Sequence, residues 1–130
     1  MSHHCSYRVY YEDTDAGGVV YYANYLKFAE RARTEWLRER GIIQSKLAQE
    51  EDILFVVRKA ELDLKQPARL DDLIDIETSL VHIKGARINL EQTLCVNKQI
   101  LVSLNITIAC INSAFKPTRL PPSIINAIAS

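Results

Sequence analysis

One stretch with helical periodicity, followed by four stretches with strand-like alternation, limits the folds that this chain can adopt. The helical stretch runs from Asn24 to Gly41, and its apolar residues recur at helical spacing. One strand is predicted before the helix, over 7–11. The four strands predicted after it lie over 53–64, 73–83, 87–96 and 100–111, most of them separated by tight turns. A run of strands after one dominant helix predicts an α+β fold, with the helix on one face of an antiparallel sheet.

The ends of the helical stretch carry suitable residue types. Asn24 is suited to cap the N-terminus, and Gly41 is suited to the position just past the C-terminus. A short second helix is predicted over 44–50, and the chain is expected to end in a short helix from Ser123. The apolar run at 53–57 predicts that the second strand begins in the core.

The composition is that of an ordinary globular chain and argues against several functions. The 130 residues are expected to form one domain over 1–130, and 48% of them are hydrophobic. Sixteen basic and sixteen acidic residues cancel, so no overall field argues for nucleic acid or a membrane surface as a partner. The apolar stretches are too short to span a bilayer, and the start of the chain lacks the apolar run of a signal peptide.

The cysteine and histidine residues follow neither a metal-site nor a disulfide pattern. Cys5, Cys95 and Cys110 are an odd number at wide spacing, which indicates reduced thiols in a cytoplasmic protein. His3 and His4 lie near the terminus without an acidic or Cys partner at ligand spacing. The sequence therefore predicts no metal site and no bound cofactor.

The segment EDTDAGGVVYYANY, residues 12–25, combines acids, glycines and a helix start. Asp13 and Asp15 lie two positions apart, so they would point the same way in an extended segment. Gly17 and Gly18 allow close approach of a ligand, and the following helix begins with amides that lack intrahelical acceptors. Such amides could polarise a carbonyl that a carboxylate attacks, or that a carboxylate-activated water attacks. By residues alone, a solvated acidic turn remains the simpler interpretation.

A long motif adds a family resemblance. The stretch RVYYEDTDAGGVVYYANYLKFAERARTEWL strongly resembles the opening of hotdog-fold acyl-CoA thioesterases of the 4-hydroxybenzoyl-CoA thioesterase family. The most similar subgroup is the Tol-Pal-associated (YbgC-type) thioesterases. FVVRKAELDLKQPARLDDLIDIET and KPTRLPPSI resemble later parts of that subgroup, so the likeness covers nearly the whole chain. It implies a five-stranded antiparallel sheet wrapped around one long central helix.

The resemblance assigns roles within the motif. It implies hydrolysis of a small acyl-CoA, short-chain or aromatic, with Asp15 as nucleophile or general base. The amides near Tyr22 and Ala23 would polarise the thioester carbonyl, and Asp13 would support the loop. Other motif residues are expected to contact substrate: Gly17, Gly18, Val19 and Asn24. Coenzyme A is then part of the substrate and not a cofactor.

Tyr22 departs from the subgroup, which usually has His at this position in the resembling motif. A tyrosine removes a group that titrates near neutral pH beside the thioester. A mechanism that needs this His as acid or base is therefore closed to this chain. Tyr22 could instead shape the acyl pocket or donate a hydrogen bond through its hydroxyl.

Binding of coenzyme A phosphates calls for local basic residues. Arg58 and Lys59 interrupt an apolar strand, and Lys84 and Arg87 flank the Gly85 turn, which approaches the coenzyme in similar enzymes. Lys116 and Arg119 in the tail are further candidates, and solvated surface charge is the competing interpretation for each of these residues. Glu30 is expected first to shape the pocket or form a salt bridge.

Two rival functions, a hydratase and a non-catalytic binding partner, are weighed against hydrolysis, and the chain is expected to form a homo-oligomer. A hotdog hydratase would want a His paired with an acid, and the only internal His is His82, away from the motif. A non-catalytic partner of an envelope or lipid-synthesis complex, binding acyl-CoA or acyl carrier protein, is the alternative. A single helix on a sheet leaves the other face or an edge uncovered, which favours a homodimer or homotetramer.

Overall fold

The computed structural model describes residues 2–130, and these form a five-stranded antiparallel sheet with three α-helices and one short 3-10 turn. The strands are β1 (Ser2–Arg8), β2 (Leu54–Leu64), β3 (Leu73–Lys84), β4 (Arg87–Val96) and β5 (Gln99–Ile111). The helices are α1 (Asn24–Glu39), α2 (Gln44–Glu51) and α3 (Pro122–Ala129). The strand order across the sheet is β1-β3-β4-β5-β2.

The core lies between α1 and one face of the sheet. Along α1 the buried apolar side chains keep the predicted helical spacing, with Phe28, Ala29, Ala32 and Trp36 at most 1% exposed. Alternate residues of the central strands point to the same core, because successive side chains of a strand lie on opposite faces. The helix of 16 residues is about 24 Å long, which is enough to cross several strands.

Most element predictions are confirmed, and the first strand is wrong. β1 ends at Arg8, whereas the prediction placed a strand over 7–11. The Val9 amide donates to the Asp72 carbonyl at 2.8 Å, and Tyr11–Asp13 then forms the 3-10 turn. The alternating aromatic residues therefore leave the sheet, because the chain has to turn into the acidic loop. The two predicted short helices are also present, with α2 contacting β2 and α3 contacting β3, so α1 is the longest of three helices.

Strand β2 is an edge strand, so its neighbour on one side is missing. The prediction that the run at 53–57 starts in the core holds for Ile53, which is 5% exposed, but Val56 and Val57 are 38% and 49% exposed. The β2–β5 register shifts between Val57 and Lys59, so a bulge bends the edge at Arg58. This apolar edge contrasts with the outward positions of β3 and β4, which carry acids and hydroxyls.

None of the helices within residues 2–130 has the length and apolar character needed to cross a membrane. The three cysteines are unpaired thiols. Cys110 is fully buried in β5, and burial raises the pKa of its thiol to about 11. Across residues 2–130, no three His, Cys, Asp or Glu side chains are grouped so that they could hold a metal ion.

Candidate active site

The acidic loop is closed by its own backbone. The Asp15 amide donates to the Val19 carbonyl at 2.9 Å, and the Gly18 amide donates to the Asp15 carbonyl at 3.0 Å. The carboxylate of Asp15 folds over this turn, where its Oδ1 accepts a hydrogen bond of 2.8 Å from the Gly17 amide. Within residues 2–130 the second oxygen, Oδ2, accepts no hydrogen bond. Asp15 is therefore an exposed carboxylate with a fixed orientation and one available oxygen.

Both glycines are required by this geometry. A Cβ at Gly17 would lie 3.2 Å from Asp15 Oδ1, so a larger residue would press against the carboxylate that the Gly17 amide holds. Gly18 has a φ of 78°, in the left-handed region that side chains disfavour. The two glycines that the sequence analysis assigned to the substrate gap thus also shape the turn that presents Asp15.

Asp13 lies beneath the loop and is 9% exposed. Its Oδ2 accepts from the Tyr10 amide at 2.9 Å, and its Oδ1 accepts from Asn24 Nδ2 at 3.0 Å. The predicted supporting role of Asp13 is therefore borne out. Asn24 does not cap α1, contrary to prediction, because it is already the first helical residue and its side chain is bonded to Asp13. The two acids also differ in burial, so they do not act as a matched pair.

The chain enters α1 through a turn that leaves two amides open. The Asn24 amide donates to the Tyr21 carbonyl at 2.8 Å, and the Tyr25 amide donates to the Tyr22 carbonyl at 3.2 Å. No acceptor for the amides of Tyr22 and Ala23 lies within residues 2–130. These are the two amides singled out from the sequence, and they lie at the positive end of the α1 dipole.

Tyr22 borders a pocket next to these amides. The pocket has a volume of about 230 Å³ and is lined mainly by apolar groups, among them Val20, Tyr25, Leu64 and Pro67. The Tyr22 ring is 60% exposed, and its centroid lies 5.2 Å from that of Tyr21. The side chain that departs from the resembling motif thus lies where an acyl group bound near the amides would pass.

The loop is anchored to the connection between β2 and β3. The Val20 amide donates to the Ala68 carbonyl at 2.8 Å, and the Ala68 amide donates to the Tyr25 hydroxyl at 3.0 Å. Burial raises the pKa of Tyr25, the Ala68 amide offsets part of this, and the charges of Asp72 and Asp15 add to the rise. Since Tyr25 is 3% exposed, it ties the start of α1 to the loop from below.

The predicted coenzyme-binding residues lie on other elements. Lys84 and Arg87 face each other across the β3–β4 turn, and both are exposed. Arg58 lies in the β2 bulge, and Lys59 is 3.6 Å from the Glu61 carboxylate; strand β5 lies between β2 and the β4 strand that carries Arg87. No hydrogen bond within residues 2–130 links any of these four basic residues to the acidic loop.

Glu30 and His82 have exposed positions away from the loop. Thr34 Oγ1 donates to the Glu30 carboxylate at 3.3 Å, and Glu30 forms no salt bridge within residues 2–130, but it does line a pocket between α1, α2 and β2. His82 follows a bulge in β3 and forms no ion pair with an acid of residues 2–130. The acid–His pairs of residues 2–130 are those of His3 with Glu39 and of His4 with Asp75 and Glu77, so His82 does not supply the pair that the hydratase hypothesis needs.

One buried polar cluster was not anticipated from the sequence. Arg33 Nη1 donates to Gln92 Oε1 at 3.0 Å, and Gln92 Nε2 donates to Thr78 Oγ1 and to the Ala29 carbonyl, each at 3.0 Å. Arg33, Gln92 and Thr78 are 8%, 1% and 0% exposed. The signal was present, because Gln92 and Thr78 occupy inward positions of their strands and Arg33 interrupts the apolar stripe of α1.

Comparisons with known proteins agree with this architecture. The sequence model of the thioesterase-like superfamily matches residues 9–128. The chain is similar to the acyl-CoA thioesterase YbgC of Haemophilus influenzae, with 46% identity over 118 residues that cover 90% of this chain and 87% of the relative.

Solved structures extend the likeness to three dimensions. A probable thioesterase from Bartonella henselae has a TM-score of 0.89 at 42% identity, and the match covers 93% of this chain and 100% of that one. A 1,4-dihydroxy-2-naphthoyl-CoA thioesterase from Synechocystis has a TM-score of 0.92 at 22% identity, over 100% and 97% of the two chains. This second likeness concerns the fold alone, and it confirms the predicted five-stranded antiparallel sheet with packed helices.

Proposed function

We propose, since the chain belongs to the thioesterase-like superfamily, that it hydrolyses the thioester bond of small acyl-CoA molecules. The similar protein from Haemophilus influenzae carries the name acyl-CoA thioesterase, and this supports the reaction class. Residues 1–130 would act as one hotdog domain in which α1 is the central helix. The mainly apolar lining of the pocket beside Tyr22 suits an acyl group, and short-chain or aromatic acyl groups are the substrates that we propose.

The observation that carries the proposal is the pair of open amides at Tyr22 and Ala23 next to a loop that presents Asp15. Two amides without an acceptor, at the positive end of a helix, suit a carbonyl oxygen that gains negative charge during the reaction. The thioester carbonyl would therefore bind at these amides. Its acyl group would extend toward the Tyr22 pocket.

Asp15 is the group we assign to the attack, in one of two ways. As nucleophile, its carboxylate bonds to the carbonyl carbon, the C–S bond breaks, and coenzyme A leaves before water hydrolyses the mixed anhydride. As general base, it takes a proton from the water that attacks the same carbon, and the C–S bond then breaks to release coenzyme A and the free acid. The oxygen that accepts no hydrogen bond within residues 2–130 is available for either role.

The remaining site residues are assigned by their positions. Gly17, Gly18 and Val19 hold the turn that carries Asp15, and Asn24 fixes Asp13 beneath it. Lys84 and Arg87, paired across their turn, would bind coenzyme A phosphates, with Arg58 and Lys59 as a second basic group. No cofactor enters the proposed reaction, and a cytoplasmic location stays a prediction.

A homodimer or homotetramer is part of the proposal. The exposed valines of the β2 edge offer a strand and an apolar strip to which a second copy could pair. Acyl carrier protein as the thiol carrier, and a role in an envelope complex, stay predictions. The non-catalytic alternative receives no support from the relatives, because the similar proteins carry hydrolase names.

The test is turnover of a panel of acyl-CoA and acyl-carrier-protein esters by the wild type and by Asp15→Asn. We expect the wild type to release free thiol from short-chain or benzoyl esters, and Asp15→Asn to be strongly impaired on the same esters. Absence of wild-type turnover across the panel would refute the activity. A folded Asp15→Asn variant at the wild-type rate would refute only the assignment of Asp15.

Single-turnover hydrolysis in oxygen-18 water separates the two roles of Asp15. Attack of water on a mixed anhydride at the Asp15 carboxyl carbon leaves labelled oxygen in the protein. The base route places the label only in the released acid. Label in the peptide that contains Asp15, detected by mass analysis, therefore demonstrates the nucleophile route.

A further inference from the structure

The loop after β5, residues 112–117, holds an aromatic ring out into solvent. Phe115 is 76% exposed, and its φ of 59° lies in the left-handed region, which a bulky residue rarely adopts. The Asn112 side chain maintains this conformation, because its Oδ1 accepts from the amides of Ala114 at 3.0 Å and Lys116 at 3.1 Å. The loop therefore fixes an exposed ring at a conformational cost that burial of the ring does not offset.

The segment after this loop lies against the β3–β4 turn. The Thr118 amide donates to the Cys110 carbonyl at 3.0 Å, and the Cys110 amide donates to the Ala86 carbonyl of the turn at 2.7 Å. In a strand, the N–H and C=O of one residue point to the same side, so the segment and the turn meet at Cys110. The next residue, Ile111, pairs with Leu54 of β2 on the other side of β5. The segment is thus on the opposite side of β5 from the β2 edge that was assigned to a second copy.

Basic side chains surround the place where the segment meets the turn. Four of them are exposed there, two in the turn and two near Thr118: Lys84, Arg87, Lys116 and Arg119. None of the four forms a salt bridge within residues 2–130. The acid that contacts the loop is Asp52, whose carboxylate accepts from the Ser113 amide at 3.1 Å and from its hydroxyl at 3.2 Å. This end of the molecule therefore combines an excess of positive charge with one exposed aromatic ring.

This combination suits a nucleotide. Arginine and lysine pair with phosphate oxygens, and an aromatic side chain can stack on a base whatever the base is. Coenzyme A carries an adenine, a phosphate on the ribose and a diphosphate. Asn112 lies two strand residues beyond Cys110, or roughly 7 Å, and its carbonyl accepts from the Phe115 amide at 2.9 Å. One nucleotide can therefore reach both the ring and the basic turn.

We infer that Phe115 stacks on the adenine base of the CoA ester, while Lys116 and Arg119 extend the phosphate site at Lys84 and Arg87. The inference rests on the thioesterase function proposed above and deepens it, because it names coenzyme A as the thiol carrier that this chain selects. Acyl carrier protein presents the same pantetheine thiol without an adenine, so its esters cannot use the ring. Phe115 determines carrier specificity and takes no part in breaking the thioester.

The first test compares benzoyl-CoA with benzoylpantetheine, which lacks the nucleotide. We expect Phe115→Ala to raise KM for benzoyl-CoA about tenfold, with kcat unchanged and with no effect on benzoylpantetheine or on the benzoyl ester of acyl carrier protein. Phe115→Tyr keeps the ring and should retain the wild-type KM. Ile100→Ala, at an exposed apolar residue near the opposite end of β5, is the control and should change neither constant. An unchanged KM in Phe115→Ala, or an equal rise for all three esters, would overturn the inference.

A binding test keeps the inference separate from hydrolysis. Phe115→Trp adds an exposed indole to a chain whose one tryptophan, Trp36, is 0% exposed. Adenosine 3′,5′-bisphosphate should quench the added fluorescence in a saturable way, whereas inorganic diphosphate, which has charge but no base, should not. Wild-type fluorescence should not respond to either compound. Quenching without hydrolysis of any ester would refute the proposed function and leave the nucleotide site standing. Hydrolysis without quenching, or equal quenching by diphosphate, would overturn the stacking role of Phe115.

Discussion

The two polar regions along α1 differ in burial and in how many of their polar groups are hydrogen-bonded. At the N-terminal end, Asp15 is exposed with one oxygen available, and two backbone amides have no acceptor within residues 2–130. At the middle, Gln92 is 1% exposed, both of its amide N–H groups donate, to Thr78 and to the Ala29 carbonyl, and its oxygen accepts from Arg33. Unpaired polar groups are tolerated where solvent or substrate can reach them, and buried ones have to be paired.

This difference separates function from stability along one helix. Groups left open at the end of α1 can stabilise charge that develops on a substrate, but they add little to folding. The cluster at the middle fixes α1 on β3 and β4, because a shift of the helix would leave buried polar atoms unpaired. Substitutions in the two regions should therefore separate loss of activity from loss of stability.

Asp15→Asn should lower kcat/KM by about 10²–10⁴, which corresponds to roughly 3–5 kcal/mol of transition-state stabilisation. Stability should be unchanged, because the Asn oxygen can still accept the bond from the Gly17 amide. Hydrolysis rates and thermal unfolding are measured on the same samples. Asp52→Asn, at another exposed acid that accepts from a backbone amide, is the control and should alter neither. A large loss of stability in Asp15→Asn would contradict the separation of function from stability along α1.

Gln92→Leu should show the reverse behaviour. It removes three hydrogen bonds and leaves the buried Arg33 without its acceptor, so unfolding free energy should fall by about 3 kcal/mol. Urea unfolding gives this value, and kcat below the transition should stay near that of the wild type. Gln99→Leu, the same change at an exposed position, should stay within about 0.5 kcal/mol. Equal effects in both variants would contradict the structural role of the cluster.

Asp13→Ala should affect both properties, because Asp13 connects the loop to α1. Loss of its bonds to the Tyr10 amide and to Asn24 should cost about 2 kcal/mol of stability. Activity should also fall, since the turn that carries Asp15 loses its support. Glu12→Ala, at the exposed acid next to it, provides the matched control and should change stability by less than about 0.5 kcal/mol. Full activity of Asp13→Ala would show that the loop keeps its conformation without the hydrogen bonds of Asp13.

Replacing Lys84 and Arg87 together by Ala should weaken substrate binding. It should leave both the Asp15 loop and the buried cluster around Gln92 unchanged. We expect KM for CoA esters to rise about tenfold with little change in kcat, as for contacts to a remote part of the substrate. The effect should diminish at high salt, because both side chains are exposed. Lys27 and Arg31, an exposed basic pair on α1, form the control double variant. An unchanged KM would exclude the β3–β4 turn from coenzyme binding.

Tyr22→His should have the smallest effect on the rate of hydrolysis at neutral pH, and it should add a transition to the pH dependence of that rate. The exposed position should let an introduced His titrate near its ordinary pKa of about 6.5, so the pH–rate profile should gain a transition there. Tyr22→Phe controls for loss of the hydroxyl. A profile identical to that of the wild type would show that the group at this position takes no part in proton transfer.

Local sequence patterns predicted the helices and strands better than the positions of these elements in the fold. The four later strands, α2 and the end of α1 near Gly41 were predicted within a few residues, because alternation, helical spacing and end residues are local signals. The first strand was misplaced because the aromatic run at 7–11 has strand character by itself. What moves it out of the sheet is the turn at Tyr11–Asp13, which is fixed by the buried Asp13.

In the candidate site, too, the residues within one segment were predicted, whereas the contacts between distant segments were not. Asp15, the glycines and the amides of Tyr22 and Ala23 lie within one short segment, so the motif alone indicated them. Asn24 was read as a helix cap because its residue type favours that position. Its actual partner, Asp13, is reached only when the loop closes on α1. The pocket at Tyr22 uses side chains from the segment after β2, which no local pattern could bring to the loop.

By itself, the sequence determined the α+β order of elements, the inward face of each central strand and the residue types of the acidic loop. Periodicity and residue type fix these features, and both act over a few residues. The tertiary structure alone decided that β2 is an exposed edge, that Arg33 meets Gln92 across the core, and that Asp13 is buried while Asp15 is not. These outcomes depend on which distant segments exclude water together, and burial of that kind becomes defined only when the whole sheet and its helices have assembled.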